Sequence, residues 1–190
     1  MNTDLFLNKN TDVFLGNVVR LMAILSVVIA LSFFIFVPLS NDDVTYFKEQ
    51  SFSLNWLINE RYMTWSSRVL LESVLPFLCK HDYVFRLVSV AFVLLNVYSL
   101  KLIFKDLSLS LVLLFLSLFP FYNFESAGLV ATTVNYYYPA VLGIFIVGVL
   151  LEDERASLFI AIALVICSII ASNHEQMSLI LVIFTSLLVI

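Results

Sequence analysis

Residues 21–39 read LMAILSVVIALSFFIFVPL, without a single charge. A helix rises 1.5 Å per residue, so about 20 apolar residues cross the ~30 Å hydrocarbon core of a bilayer. Arg20 stands just before the run and Pro38 closes it. Immediately beyond comes Ser40-Asn41-Asp42-Asp43. An acid pair therefore stands where the chain leaves the lipid. Two readings fit it. One is helix capping, with Ser40 or Asn41 as the cap and the acids in the positive first turn of the next helix. The other is chemistry at the membrane surface, in which one Asp is a general base and the other orients it or holds a cation.

Composition sets the solvent. Hydrophobic residues make up 62% of the 190 and charged residues only 13%, against about 25% charged in a soluble domain. The mean hydropathy is +1.03. Such a chain is expected to be polytopic in a membrane. The net charge of −4 and the lack of a dense basic patch exclude nucleic acid as a partner. The first apolar run is too long for a cleavable signal peptide and reads as an uncleaved anchor. Cys79 and Cys167 lie far apart with no CxxC, so they read as lone thiols. No Asn-x-Ser/Thr sequon occurs, which fits a bacterial source.

The remaining apolar runs give a coarse map. After the first span comes a long mixed segment, Ser40 to Tyr83. Its stretch Val44 to Asn59 sets Phe47, Leu54, Leu57 and Ile58 among polar residues, which predicts an amphipathic interfacial helix. Val69 to Cys79 is apolar but short and holds Glu72 and Pro76, so it predicts a second juxtamembrane helix. Further spans are expected over Val84–Phe104, Leu107–Tyr122, Pro139–Leu151 and Ala156–Ser172, with a sixth from Met177. Pro139 suits the first turn of a helix. The chain stops at Ile190 inside the sixth run, after about 14 residues, short of a crossing. We therefore expect residues 1–190 to be a single membrane domain from the N-terminal part of a longer protein.

Alternating crossings put 40–83, 123–137 and 173–176 on one side. The N-terminus and the turns at Lys101/Lys105 and Glu152–Arg155 fall on the other. The polar turns with unusual chemistry thus share a face. Basic residues divide evenly between the two sides, so the positive-inside rule separates them only through loop length. Arg20, next to the first span, then favours a cytoplasmic N-terminus and an extracytoplasmic polar face.

That face holds the remaining candidates. Arg61-Tyr62-x-x-Trp65-Ser66-Ser67-Arg68 reads either as an interfacial anchor or as a lipid-phosphate site. In the second reading the Arg61 and Arg68 guanidinium forks take phosphate oxygens and Trp65 stacks on a sugar ring or prenyl chain. Glu125 and Asn135 lie in the third polar segment, which ends in the triplet Tyr136-Tyr137-Tyr138; the triplet reads as an aromatic belt, or the segment as a polar lining for sugar hydroxyls. His174 and Glu175 occupy a polar turn between apolar spans. A metal site from His81-Asp82 with His174-Glu175 requires the loops to converge. Asn96, inside a span, reads as an interhelix hydrogen bond. GxSxG, a phosphate-binding glycine loop and HExxH are all absent from the sequence.

A first span followed at once by an Asp-Asp pair, then a long outer loop with juxtamembrane helices, resembles the GT-C membrane glycosyltransferases. Trp65-x-x-Arg68, Asn135-Tyr136-Tyr137 and His174-Glu175-Gln176 are similar to elements of bacterial polytopic proteins assigned to surface-polysaccharide work. The resemblance implies transfer of sugars from polyprenyl-phosphate donors onto glycan acceptors outside the cytoplasm. It matches Asp42 and Asp43 to the catalytic acid position of the first outer loop. The phosphate role of Arg61 and Arg68 comes from their own chemistry.

The expectation is an all-α polytopic integral membrane protein with about six transmembrane helices and juxtamembrane helices in a long first outer loop. Asp42 and Asp43 are its catalytic candidates. Arg61, Trp65, Arg68, Glu125, Asn135, Tyr136, His174 and Glu175 are its substrate-binding candidates. The expected partners are membrane lipid, a polyprenyl-phosphate-linked sugar and a glycan acceptor, in a bacterial plasma membrane. A divalent cation, Mg or Mn, is compatible with this chemistry, although no dedicated cage is legible. The alternatives are a transporter or polymerase of lipid-linked glycans, which should carry charges within its spans, or a non-catalytic assembly subunit.

Overall fold

A computed structural model of the chain describes residues 3–50, 53–64, 67–118, 121–152 and 157–189. Among them there is helix but no strand. Three helical stretches are long and apolar enough to cross a membrane: Val13–Phe36, Asp82–Ile103 and Leu129–Leu150.

The first stretch belongs to α1, Thr3–Phe36. Its buried positions form one narrow stripe, Ala23, Ser26, Ala30 and Phe34, while Leu21, Met22, Ile24, Leu25, Val28 and Ile29 are exposed. Mostly small residues thus meet the protein and bulky aliphatics face out, the reverse of a water-soluble helix and the usual pattern in lipid. The helix ends two residues before Pro38, because the residue preceding a proline is pushed out of helical geometry. Arg86 closes that end. Its Nη1 donates to the carbonyls of Phe34 (2.9 Å) and Ile35 (2.5 Å), and its Nη2 to Val37 (3.1 Å). A cation on the last carbonyls of a helix also suits the negative end of its dipole.

Arg86 lies on α3, Asp82–Ile103. The inward stripe of α3 includes Ser89, Asn96 and Ser99. It packs on α6, Tyr138–Leu150. Ser89 Oγ and Tyr138 Oη are 2.8 Å apart, and Phe92 stacks on Tyr138 at 4.0 Å. Further along, Gly148 sits against Ser99 and Leu102, where a Cβ would meet atoms at 3.1 Å. Residue numbers rise together along both helices, so α3 and α6 run parallel. The chain must therefore return between them.

It does so through 104–128, although not as the single helix expected over Leu107–Tyr122. Phe115 stacks on Phe104 at one end, and Phe121 packs on Phe33 and Phe34 at the other. Between them lie α4, Leu109–Leu114, and the 3-10 turn Phe115–Leu118. A second 3-10 turn covers Phe121–Ser126. Apolar content sets how deep a segment sits; it does not guarantee one unbroken helix.

The span expected from Pro139 begins ten residues earlier. α5, Leu129–Thr132, leads into a π-helical turn, Thr133–Tyr137, and then into α6. Pro139 has no N–H to give the carbonyl of Asn135 four residues back, and the wider π turn lies at that point. α7, Leu158–Ser172, and α8, Glu175–Val189, have 15 residues each, or roughly 22 Å.

The long loop also departs from expectation. The interfacial helix anticipated over Val44–Asn59 is instead two π-helical turns, Asp43–Phe47 and Trp56–Tyr62. Phe47 and Leu57 are buried as expected, but Leu54 and Ile58 are exposed, and Trp56 is the largest buried anchor. Its indole N–H donates to Tyr46 Oη at 3.1 Å. The helix expected over Val69–Cys79 forms as α2, Val69–Lys80.

Two side chains cap helices from far along the chain. Asp43 Oδ2 accepts from Val130 N (2.8 Å) and Oδ1 from Ala131 N (2.9 Å), at the start of the Leu129–Leu150 stretch. Asn173 Oδ1 accepts from Leu70 N (3.1 Å) and Leu71 N (3.2 Å), at the start of α2. Each satisfies backbone donors that a helix N-terminus leaves open. Together they draw the described residues of 41–83, 123–137 and 173–175 to one end of the helices. Lys105 and Glu152 pair at 3.0 Å in the connecting turns after α3 and α6.

Gly128 makes the first cap possible. Its φ is +113°, and a Cβ there would lie 2.7 Å from Asp43 Oδ1. Gly128→Ala therefore combines backbone strain with a clash on the capping carboxylate. It should lower stability by about 1–3 kcal/mol, read as an earlier thermal melt in detergent. Gly16→Ala, where nothing lies within 4 Å, is the control and should melt like the parent.

Candidate functional site

The gathered end encloses an open cavity of about 820 Å³. The three π-helical turns among the described residues all contribute to it: Thr45, Tyr46 and Phe47 from the first, Glu60 and Arg61 from the second, Asn135 and Tyr136 from the third. A π turn widens a helix and displaces its side chains from the regular register, and such turns recur at functional sites. Asp42, Ser67, Arg68, Glu72 and Glu175 add further polar groups to the wall.

The adjacent acids of the first loop part company. Asn41 has φ +47°, a left-handed geometry that asparagine tolerates better than most residues. Beyond that bend Asp42 is exposed on the cavity wall, whereas Asp43 is fully buried. Burial raises the Asp43 carboxyl above its ordinary 3.8, opposed by the backbone N–H groups of Ala131, Val130, Ser40 and Leu129. Of the pair, Asp42 is the carboxylate that faces the cavity.

The two arginines also differ. Arg61 Nε and Nη2 both donate to Glu72 Oε2, at 2.9 and 2.5 Å. Glu72 is buried and Arg61 half-buried, with side chains 3% and 12% exposed, and the guanidinium lies 5.1 Å from the Phe47 ring centre and 5.4 Å from that of Tyr46. Arg68 Nε donates to Glu175 Oε2 at 3.0 Å, and Ser67 Oγ donates to Glu175 Oε1 at 2.6 Å. This pair is open, at 20% and 54% exposure. Arg68 also lies over the Tyr136 ring at 5.0 Å.

Asn135 is buried in the wall. Its Nδ2 stands 3.5 Å from Glu72 Oε1, and its Oδ1 has no partner among the described residues. His174 lies behind the wall, edge-on to Tyr136 at 5.3 Å. Its Nδ1 accepts from Met177 N at 3.4 Å, and its Nε2 has no partner among the described residues. The backbone of Glu125 lies in the second 3-10 turn; its side chain, and all of Trp65, fall outside the described residues. The cavity thus unites Asp42, Arg61, Arg68, Asn135, Tyr136 and Glu175. Among the described residues no three His, Cys, Asp or Glu side chains gather as metal ligands.

Some residues that shape the site did not stand out in the sequence. Glu72 was legible as a carboxylate inside an apolar run, but its pairing with Arg61 was not. Glu60 and Ser67 carried no signal of their own. Nor did Asn173, because a cap on a helix about a hundred residues away leaves no local pattern. Of the cavity charges, the Arg61–Glu72 and Arg68–Glu175 pairs cancel. Asp42 and Glu60 remain uncompensated among the described residues, so the open wall is net acidic and hydroxyl-rich with aromatic platforms.

No family model, curated protein or solved structure matches this chain. Function is therefore argued from the chemistry of the site.

The two ion pairs should respond differently to mutation. Removing one partner of a buried pair strands a charge and costs about 3–5 kcal/mol, so Arg61→Ala and Glu72→Gln should each lower the melting temperature markedly. An exposed pair contributes about 0–1 kcal/mol, so Arg68→Ala should melt near the parent. Equal melting of the Arg61 and Arg68 variants would contradict this division.

His174 supplies a pH dependence. Burial, then the nearby Arg68 charge, lowers its pKa below the ordinary 6.5, with Glu175 opposing. A base with a depressed folded pKa binds its proton more readily when unfolded, so its contribution is present above about 6.5 and lost as pH falls through the folded pKa. Thermal melts between pH 7.5 and 5.5 should show that loss, and His174→Gln should flatten the slope. An unchanged slope in the variant would remove His174 as its source.

Proposed function

We propose that this protein is a membrane glycosyltransferase of GT-C-like character, moving a sugar from a polyprenyl-phosphate donor to a hydroxyl of a glycan or lipid-linked acceptor. The observation that carries the reading is the cavity itself. It sets an exposed carboxylate, Asp42, unpaired among the described residues, in the same wall as Arg68 and the Tyr136 ring, next to helices whose outward faces are apolar. A lipid-linked donor needs both an apolar surface for its chain and a polar pocket for its head.

The chemistry follows from those groups. The Asp42 carboxylate takes the proton of the acceptor hydroxyl. The acceptor oxygen bonds to the anomeric carbon of the donor sugar. The bond from that carbon to the phosphate oxygen breaks, and its electron pair leaves on the phosphate. Arg68 offsets the negative charge developing there, the place where electrostatic stabilisation counts most. Tyr136 and Asn135 line the space for sugar hydroxyls, and Arg61 acts through Glu72 to hold the wall.

The reading carries a topology with it: six crossings, a cytoplasmic N-terminus and a cavity opening outside a bacterial plasma membrane. Arg20 before the first span supports that orientation. The return of the chain through 104–128 supports the third crossing, and the exposed apolar faces of α7 and α8 support the fifth and sixth.

The test is Asp42→Asn, which preserves size. With no capping duty on Asp42, the variant should accumulate at the parental level and lose about 10²–10⁴-fold in transfer rate. The assay follows sugar leaving a polyprenyl-phosphate donor. Asp43→Asn should instead act on stability, since one amide oxygen cannot replace two carboxylate oxygens at the cap. Full transfer by Asp42→Asn would overturn the mechanism.

A further inference from the structure

We propose that Ser67 and Arg68 form an anion site for a phosphate ester, and that the Glu175 carboxylate is its resident, exchangeable occupant. Identifying that ester as a lipid phosphate rests on the transferase reading above; the site itself rests on geometry. Both oxygens of one anion are held by donors from two consecutive residues, Ser67 Oγ at 2.6 Å and Arg68 Nε at 3.0 Å. A phosphate presents the same pair of oxygens with at least as much charge, and guanidinium and hydroxyl donors suit it equally. The Tyr136 ring under Arg68 limits where the guanidinium can lie.

Glu175 is placed to leave. Its side chain is 54% exposed, so a rotation carries it into solvent without unpacking a core. The turn behind it stays docked, because Asn173 still caps Leu70 and Leu71. Glu72, the other paired carboxylate in the wall, is 3% exposed and has no such freedom. The cavity therefore has one fixed arginine and one arginine whose carboxylate can be traded for a ligand. Ser67, Arg68 and Glu175 all line the cavity that Asp42 lines, so a phosphate in the place of Glu175 would share a pocket with the proposed base.

The experiment is calorimetric titration of the full chain in neutral detergent, with inorganic phosphate and, separately, with dodecyl phosphate. Glu175→Gln removes the resident charge and should bind phosphate about tenfold tighter than the parent, the factor expected when the open site is populated about one-tenth of the time. The gain should vanish when Arg68→Gln is added and should shrink when Ser67→Ala is added, with the melting temperature unchanged in the latter. A gain for both probes assigns recognition to the phosphate group itself; a gain for dodecyl phosphate alone assigns it to a lipid ester; either supports the site. Equal or weaker phosphate binding by Glu175→Gln overturns it. If that happens while Asp42→Asn still loses transfer, the anion site falls and the transferase reading stands. Tighter phosphate binding with no sugar transfer by the parent leaves the anion site standing and removes the transferase reading.

Discussion

The structure depends first on one buried carboxylate. Asp43 holds the N–H groups of Val130 and Ala131 and so joins the exit of the first apolar helix to the start of the Leu129–Leu150 stretch. Several constraints meet there. The contact needs a left-handed bend at Asn41 and a glycine at 128, because any Cβ would strike the carboxylate. It places Cys79 of α2 4.0 Å from Asp43 Oδ1. It also turns the neighbouring Asp42 outward. Two adjacent residues with the same side chain thereby take opposite duties, one inside the fold and one on the cavity.

The cavity that results is built from irregular helix. Three π-helical turns, two of them in the long loop and one inside a span-length stretch, widen their segments where they face one another. Between them the charges are unequal in commitment. Glu72 is buried against a half-buried Arg61, so separating them strands the carboxylate in an apolar setting. Arg68 and Glu175 meet at the rim, where water offsets the cost of parting. A site that must accept and release an anion is better served by the second kind of pair. The Ser67 hydroxyl, followed by the remaining partners of Glu175, holds its carboxyl at about 2, so the occupant is ionised at neutral pH and resembles the anion it would give way to.

The helices around the cavity explain how polar chemistry survives in so apolar a chain. Bulky aliphatics of α1 face out while a narrow stripe of mostly small residues packs inward, and α3 turns Ser89, Asn96 and Ser99 toward its neighbours. The polar groups are thus concentrated between helices or at one end, away from the outward faces. Membrane-spanning length and polar wall are separate properties of the same elements.

Much of this was legible in the residues. Composition and the charge-free run 21–39 point to membrane association and to helix, because an apolar run of that length satisfies its own backbone hydrogen bonds only as a helix. The clustering of Asp42, Arg61, Arg68, Asn135, Tyr136 and Glu175 into polar segments was also visible, since turns that interrupt apolar runs stand out against them. What a linear pattern could not give was the division of labour: which Asp caps and which faces the cavity, which arginine pairs with a buried carboxylate and which with an exposed one, and that Asn173 caps a helix begun at Val69. It also misjudged 107–122 as a single helix and placed an amphipathic helix over 44–59. Those outcomes depend on contacts between residues up to about a hundred positions apart, and on how closely two backbones approach at Gly128. Hydropathy reports the solvent a segment prefers. Only the folded arrangement fixes the partner each polar group finds there.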